Sequence, residues 1–228
     1  MTDYPWEPPL AGSELDQLIA PREFQVPGWR VVGQSVCAHF RTGSVALGAQ
    51  LAAAIGDLAG IDEWYPAIDV RRDGVTVRMA GFAPAPVGLR TRHVELAERI
   101  TAAAAELSVP AEVSVPQNLV VSIDALSPTA VLPFWRALLG YVPRPDTPDE
   151  ELVDPHQRGP VVFVNRMDTP RPQRNRIHLD VFVPLDQAPD RVAAALAAGG
   201  QLITDAFAPG WWVLADAEGN EACVATGA

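Results

Sequence analysis

The sequence of 228 residues predicts an α+β protein with two domains. Its first half shows strand and helix patterns in the order β-α-β-β-α, which is typical of an antiparallel sheet with helices on one face. Its second half contains a β-α-β-β-β pattern twice in tandem, and each copy needs its twin to bury the apolar face of its sheet. Between the halves, residues 110–117 contain two prolines and no helical period, so they are predicted to form the linker.

The first half opens with an arm, residues 1–27, in which Ser13–Ala20 favours a short capped helix. The domain predicted over residues 28–109 then contains a β-rich stretch, a helix, a hairpin that turns at Asp73-Gly74, and a second helix. In that order, these four segments span residues 29–42, 43–60, 67–82 and 91–108.

The second domain is predicted over residues 118–228. Its strand segments are 118–125, 151–154, 160–167, 176–183, 201–205, 210–216 and 221–225, and its helices are 129–140 and 186–200. Glycine follows each helix and stops it, as at Gly140. The turn before the last strand contains Asp216, Glu218 and Gly219, and we expect its charge to be solvated.

Composition excludes several classes of function. A net charge of -11 argues against nucleic acid or an anionic membrane as partner, because both need a basic surface. All 17 basic residues are arginine, which excludes Schiff-base chemistry and a phosphate-loop lysine. The N-terminus lacks the pattern of a secretory signal, so a cytoplasmic location is expected. Cys37 and Cys223 lack metal-ligand spacing and are predicted to be buried free thiols.

The second half resembles the glyoxalase-like members of the vicinal oxygen chelate superfamily. The resemblance is carried by a helix with Phe134–Tyr141 (FWRALLGY), a central strand RIHLDVFV, and the closing segment Trp212–Cys223 (WVLADAEGNEAC). It implies two paired βαβββ modules whose sheets curl round a funnel. It also implies that metal ligands come from the first and last strands of each module, and that a divalent metal chelates vicinal oxygens of the substrate. Lyase, isomerase and oxygenase chemistry are the reaction classes it suggests.

Two residues match the implied ligand positions of the second module, namely His178 on its first strand and Glu221 on its last. An imidazole with a carboxylate suits Fe(II), Mn, Ni or Zn. In the first module the corresponding positions are Val120 and Val164, which cannot bind metal. Asp124 shares the strand face of Val120 by alternation and is predicted to reach the funnel as a third catalytic residue. The alternative is a hydrogen-bonded pair, His178 and Glu221, in a pocket for an organic ligand without metal.

Three further residues of this half are candidates for substrate binding. Arg176 lies two residues before His178 on the same strand face and could hold a carboxylate or phosphate through its planar guanidinium. Asp180 lies two residues after His178 on that face, where a supporting role beside the metal is the alternative. Trp212 alternates with Leu214, a pattern that packing in the core would also produce.

The first half resembles pterin-4a-carbinolamine dehydratase. The resemblance is carried by Trp29 at the start of a strand, the segments IDEWYP and VTVRM, and the helix with GLRTRHVELAERI. That family has an acidic-His-His-Pro motif and a Thr-His-Asp/Glu motif, whose histidines act as general acid and base. The residues found at these positions here are Glu63-Trp64-Tyr65-Pro66 and Gly81-Phe82-Ala83. Tryptophan and phenylalanine cannot transfer protons near neutral pH, so ordinary dehydratase chemistry is predicted to be lost.

Trp64, Tyr65 and Phe82 then have two interpretations: they line a remodelled pocket for a flat ligand, or they fill a former site by packing. His93, on the last helix of this half, is expected at the surface.

The leading hypothesis is a small-molecule enzyme or binding protein that works in the funnel of the second domain, with a divalent metal and no other indicated cofactor. The alternatives are a metal-free protein that binds an organic anion or aromatic compound, and a residual dehydratase. A homo-oligomer is compatible with both resemblances.

Overall fold

The computed structural model describes residues 17–33, 35–58, 66–80, 88–170 and 177–226. Within these residues the protein is α+β, with four α-helices and three four-stranded sheets. The chain divides into two compact units, residues 1–118 and 119–228, which are described separately below. None of the helices in the described ranges is long and apolar enough to cross a membrane.

Among its described residues, the first unit contains one antiparallel sheet, a 3-10 helix at Pro21–Glu23 and two α-helices. In chain order its elements are β1 (Trp29–Val32), β2 (Ser35–Phe40), α1 (Val45–Gly56), β3 (Ala67–Val70), β4 (Val75–Ala80) and α2 (Thr91–Glu106). The strands lie in the order β1-β2-β4-β3, and every neighbouring pair is antiparallel. The predicted single β-rich stretch is therefore two strands, because the chain reverses after Gly33, whose φ of 61° suits glycine.

The hairpin predicted at Asp73-Gly74 is confirmed, since β3 and β4 pair on either side of it. Glycine is required there because a Cβ on Gly74 would lie 2.4 Å from His39 Nε2 and 2.5 Å from the Phe40 carbonyl oxygen. The arm helix is wrong for residues 17–20, while residues 13–16 lie outside the described ranges. Leu18 instead forms a β-bridge with Arg90, which satisfies backbone groups that a short isolated helix would leave open.

The core of the first unit lies between the sheet and helices α1 and α2. Its fully buried side chains come from the two central strands and both helices, and they include Val36, Phe40, Val77, Met79, Leu51, Ile55 and Ile100. Residues of the predicted linker also contact this sheet, since the Glu112 amide donates to the His39 carbonyl at 2.7 Å.

His93 is buried, not at the surface, with 6% of its surface exposed. Its Nδ1 accepts a hydrogen bond from the Arg90 amide at 2.9 Å, at the N-terminus of α2. The first amides of a helix lack partners within the helix, so an acceptor side chain in this turn is held inward. That requirement explains why the expectation for His93 was wrong.

The second unit contains two βαβββ modules, in agreement with the predicted repeat. The first consists of β5 (Val120–Ala125), α3 (Pro128–Leu139), β6 (Val142–Pro143), β7 (Glu151–Val153) and β8 (Val161–Arg166). The second consists of β9 (Leu179–Phe182), α4 (Ala188–Ala197), β10 (Gln201–Phe207), β11 (Trp211–Ala215) and β12 (Glu221–Ala225). In each module the first strand pairs in parallel with the last, giving the orders β5-β8-β7-β6 and β9-β12-β11-β10.

Each sheet of the second unit has one face against the helices. Alternate residues such as Ile123, Val164, Leu214, Ala222 and Val224 pack with α3 and α4 in one apolar core. The residues between them point to the opposite side, which we call the open face. It carries Val120, Ser122 and Asp124 on β5, Asp180 and Phe182 on β9, Trp211, Val213 and Ala215 on β11, and Glu221, Cys223 and Ala225 on β12.

Candidate functional site

The parallel pairing of β9 with β12 brings two of the predicted site residues together. Leu179 is paired with Ala222, so His178, which immediately precedes β9, lies beside Glu221, the first residue of β12. His178 Nε2 lies 3.1 Å from Glu221 Oε2. The two side chains are 28% and 11% exposed respectively, so the contact is partly shielded from solvent.

The other imidazole nitrogen of His178 lies near a thiol, and a second carboxylate belongs to the same cluster. His178 Nδ1 lies 3.9 Å from Cys223 Sγ. One donor atom from each of His178, Asp180 and Cys223 lies within 4.8 Å of the other two. Asp180 and Cys223 are paired across β9 and β12, one step along the open face from His178 and Glu221. The imidazole therefore lies between Glu221 on one side and the Asp180-Cys223 pair on the other.

This donor set fits a divalent transition metal. An imidazole, a thiol and carboxylates are the side chains that bind Zn(II) and its neighbours, and three converging donors leave room for a further ligand. A histidine binds an ion through one nitrogen, while its other nitrogen commonly donates a hydrogen bond to a carboxylate that orients the ring. His178 has a suitable partner on each of its two nitrogens.

Cys223 is the member of this cluster that the sequence prediction missed. Both cysteines are buried and neither forms a disulfide, as predicted, but the distance between Cys37 and Cys223 in the sequence says nothing about a metal site that contains only Cys223. The useful signal is the two-residue spacing between Glu221 and Cys223, because alternate residues of a strand share a face. Ligands that converge from neighbouring strands are distant in sequence, and only strand pairing reveals them.

Asp124 lies on the open face of the other sheet. Its Oδ1 accepts a long hydrogen bond of 3.4 Å from Asn165 Nδ2 on the neighbouring strand. Asp124 does not belong to the cluster of His178, Asp180 and Cys223. Val120 is paired with Val161, and Val164 is buried in the core. The first module therefore supplies no metal-binding side chain at the two positions where the resemblance implies one.

Trp212 does not share the open face with Glu221, which favours the packing interpretation, and its role in substrate binding stays a prediction. It is paired with Val224 and packs against the apolar core, because both residues point toward the helices. Its neighbour Trp211 takes the open face instead. Trp211 is 42% exposed and stacks on Phe207, with ring centroids 4.5 Å apart and an angle of 15° between the rings.

Several predicted site residues lie outside the described ranges. They are Arg176 in the second unit and Glu63, Trp64, Tyr65 and Phe82 in the first. Their proposed roles in binding a ligand stay predictions.

The turn before β12 is built differently from the solvated loop that its sequence predicts. Asp216 has no exposed surface and accepts hydrogen bonds from Trp135 Nε1, the amides of Glu218 and Asn220, and the Asn220 side chain. The carboxylate of Glu218 accepts from the amides of Leu126 and Ser127, at 2.6 and 2.7 Å. The prediction is therefore wrong for Asp216, because four donors replace the water that a buried carboxylate loses.

Comparison with known proteins found similar solved structures and one matching family model. Three of the similar solved structures are described first. TioX from Micromonospora sp. ML1 is 16% identical, with a TM-score of 0.32 over 49% of this chain and 98% of its own. The fosfomycin resistance protein FosX from Listeria monocytogenes is 11% identical, with a TM-score of 0.37 over 51% and 94%. A glyoxalase-related enzyme from Fulvimarina pelagi is 21% identical, with a TM-score of 0.34 over 47% and 84%.

No curated protein matches the chain. The family model that matches is that of the glyoxalase-like domain, and it covers residues 120–225, which include both βαβββ modules and the cluster around His178. The second unit therefore contains a glyoxalase-like domain.

Proposed function

We propose that the glyoxalase-like domain binds a divalent transition-metal ion at His178 and uses the open face to bind a small molecule through its oxygen atoms. Glu221, Asp180 and Cys223 supply the remaining side chains of the metal site. The observation that carries the proposal is the position of His178, 3.1 Å from Glu221 through one nitrogen and 3.9 Å from Cys223 through the other. A bound divalent ion would act as a Lewis acid that polarises an oxygen of the ligand.

The two nitrogens of His178 allow two arrangements. In one, Nε2 and Glu221 bind the ion, which is the ligand pair implied by the family resemblance. In the other, Nδ1 binds the ion together with Asp180 and Cys223, while Nε2–H donates to Glu221. We favour the second arrangement because three donor atoms already lie within 4.8 Å of one another and 3.1 Å is a normal hydrogen-bond distance.

In this arrangement each residue has a defined task. Glu221 holds the proton on Nε2, which leaves the Nδ1 lone pair free to bind the ion. Cys223 is buried in the sheet with 7% of its surface exposed, and packing around it restricts the positions that its sulfur can take. Asp124, on the open face of the other sheet, is proposed as the proton acceptor for the bound molecule, since a carboxylate in this environment can serve as a general base.

The test is metal analysis of protein purified without chelator, followed by Co(II) titration of the metal-free protein. We expect one ion per chain and a Co(II)-thiolate charge-transfer band in the near ultraviolet that Cys223→Ser abolishes. His178→Ala should lose the ion, and Glu221→Gln should weaken metal binding about 10- to 100-fold.

His156→Ala is the matched control, because it removes an imidazole from the turn after β7 and should leave the metal content unchanged. His178→Ala protein that binds metal as tightly as the wild type would contradict the proposal. A metal site that survives Cys223→Ser and fails completely in Glu221→Gln would favour the first arrangement.

A second candidate function is metal-free binding of an aromatic organic compound. It is favoured by two aromatic side chains that are exposed on the open face, Phe182 and Trp211. An increase in melting temperature on adding an aromatic ligand, unchanged by EDTA and by His178→Ala, would support this function over the first.

A further inference from the structure

The pairing of β9, β12 and β11 arranges the open face in three rows of side chains. From the start of β12 to its end, the rows are His178, Glu221 and Ala215; Asp180, Cys223 and Val213; and Phe182, Ala225 and Trp211. The first two rows contain the metal-site residues. The third row contains two aromatic rings separated by an alanine.

The third row is exposed in a way that suits ligand binding. Phe182 is 71% exposed and Trp211 is 42% exposed, while Ala225 between them is buried with 6% exposed. Large side chains therefore stand on both sides of a small one, and the backbone of β12 forms the bottom of the gap. We call the space bounded by Phe182, Ala225 and Trp211 the aromatic slot.

The backbone spacing across the aromatic slot leaves room for one flat ring and not for two. Neighbouring strands lie about 4.8 Å apart, so side chains two strands apart are separated by about 9.6 Å at the backbone. A ring stacked between two others needs about 3.5–4 Å on each side, or about 7–8 Å in total. One aromatic layer fits in this space, whereas a puckered saturated ring is thicker and fits less well.

Trp211 is held in position by the strand on its other side. Phe207 of β10 stacks on it with centroids 4.5 Å apart and 15° between the ring planes. Since β10 and β12 flank β11 on opposite sides, we infer that the ring face opposite Phe207 is the one on the side of Ala225. The indole is thus oriented before any ligand arrives, which lowers the entropic cost of stacking.

The aromatic slot adjoins the metal-site residues directly. Successive rows are two residues apart along the strands, or about 6.6 Å. A molecule with a ring in the slot would therefore carry its oxygen atoms about one ring diameter away, beside Asp180 and Cys223. We propose that the aromatic slot binds the flat ring of an aromatic ligand whose oxygen donors point to His178. This inference rests on the proposed function only in assigning the ligand to the open face.

The test uses two carboxylates of the same carbon skeleton, 2-naphthoate and decahydro-2-naphthoate, titrated calorimetrically into the full chain. We expect 2-naphthoate to bind at least tenfold more tightly, because only the flat ring can stack face to face on both aromatic side chains. Phe182→Ser and Trp211→Ser should each weaken 2-naphthoate binding about tenfold, as loss of one stacking partner does. Ala225→Leu, which fills the slot and keeps both rings, should weaken it as well.

Leu202→Ser is the matched control, because Leu202 is an exposed apolar residue on β10 that is paired with the core residue Leu214. Its affinity for 2-naphthoate should equal that of the wild type. Thermal unfolding of every variant by circular dichroism identifies any that fail to fold. If Ala225→Leu does not fold, Phe182→Ser provides the test.

Metal content is measured on the same preparations, which separates this inference from the proposed function. Phe182→Ser and Trp211→Ser should keep their metal, and discrimination between the two probes should persist in a protein that holds none. Equal affinity for both probes would overturn the inference. A second outcome would also overturn it: both serine variants change the molar mass measured by light scattering but leave 2-naphthoate binding unchanged. In that case the two rings form an interface between copies of the protein.

Discussion

Trp135 in helix α3 donates a hydrogen bond from its indole Nε1 to Asp216 Oδ2 at 3.0 Å, and neither residue is exposed by more than 2%. The same carboxylate accepts from the amide of Asn220, one residue before Glu221. Asp216 thereby ties the turn that precedes β12 to the helix layer of the first module. The start of β12, and with it the position of Glu221, depends on a contact between the two modules.

Asp216→Ala is predicted to destabilise the second unit by about 3 kcal/mol, because it leaves Trp135 Nε1 and turn amides without an acceptor. Trp135→Phe removes one donor to the carboxylate and should cost about 1.5 kcal/mol. Urea unfolding followed by circular dichroism measures both changes. The exposed Asp186→Ala is the control and should change the free energy of unfolding by less than about 0.5 kcal/mol. An equally small effect in Asp216→Ala would contradict the prediction.

Glu218→Ala is predicted to destabilise the second unit by about 1 kcal/mol. The Glu218 carboxylate accepts from the amides of Leu126 and Ser127 at the N-terminus of α3, where both the unpaired amides and the helix dipole favour a negative group. Urea unfolding again provides the measurement. Glu150→Ala, which removes an exposed carboxylate elsewhere in the unit, should be close to neutral. Equal effects of the two substitutions would rule out a capping role.

His93→Leu is predicted to cost the first unit about 1–2 kcal/mol, since the Arg90 amide would lose its acceptor in a buried position. His93→Gln should be less damaging, because glutamine at the same position of a helix can accept from the same amide. The comparison of the two variants by thermal unfolding separates the hydrogen bond from packing. A glutamine variant as unstable as the leucine variant would show that packing alone holds His93.

Alkaline pH should destabilise the first unit through Cys37. Burial raises the pKa of its thiol to about 11 from an ordinary 9.0, partly offset by the charge of Arg78. Between these values the folded protein keeps the proton that the unfolded chain has lost. The free energy of unfolding therefore falls as pH rises from about 9 to 11, by at most about 1.4 kcal/mol per pH unit from this group. The contribution is fully present below pH 9.

Cys37→Ala should lack this component when unfolding is measured from pH 8 to pH 11. In the native wild type, iodoacetamide at pH 8 should leave Cys37 unmodified, because the thiol is both buried and protonated. An identical pH profile in Cys37→Ala would show that another group causes the alkaline loss.

Local pattern was sufficient for the helices and for the repeated modules. The helix predicted over residues 91–108 is α2 (Thr91–Glu106), and the one predicted to stop at Gly140 ends at Leu139. Apolar spacing and a glycine in the left-handed region are properties of neighbouring residues, so the chain itself carries them. The paired assignment of His178 and Glu221 also came from the order of motifs, although their 3.1 Å contact needed the register of β9 and β12.

Local pattern left open which face of a strand is buried. Trp211 and Trp212 are adjacent, and a shift of one residue exchanges the face that each occupies. Only pairing with β12 decides that Trp212 joins the core and Trp211 the open face. The burial of Asp216 was equally hidden, because its donor Trp135 lies on another module.

Residue pattern alone was enough to predict an α+β chain with a duplicated βαβββ pattern, a net negative charge and two polar residues at the ends of distant strands. The tertiary structure decided which side chains meet: Cys223 and Asp180 beside His178, and Phe182 opposite Trp211. The physical reason is that periodicity is a property of each segment, whereas a site is made by the register between segments, and register depends on which apolar faces pack together.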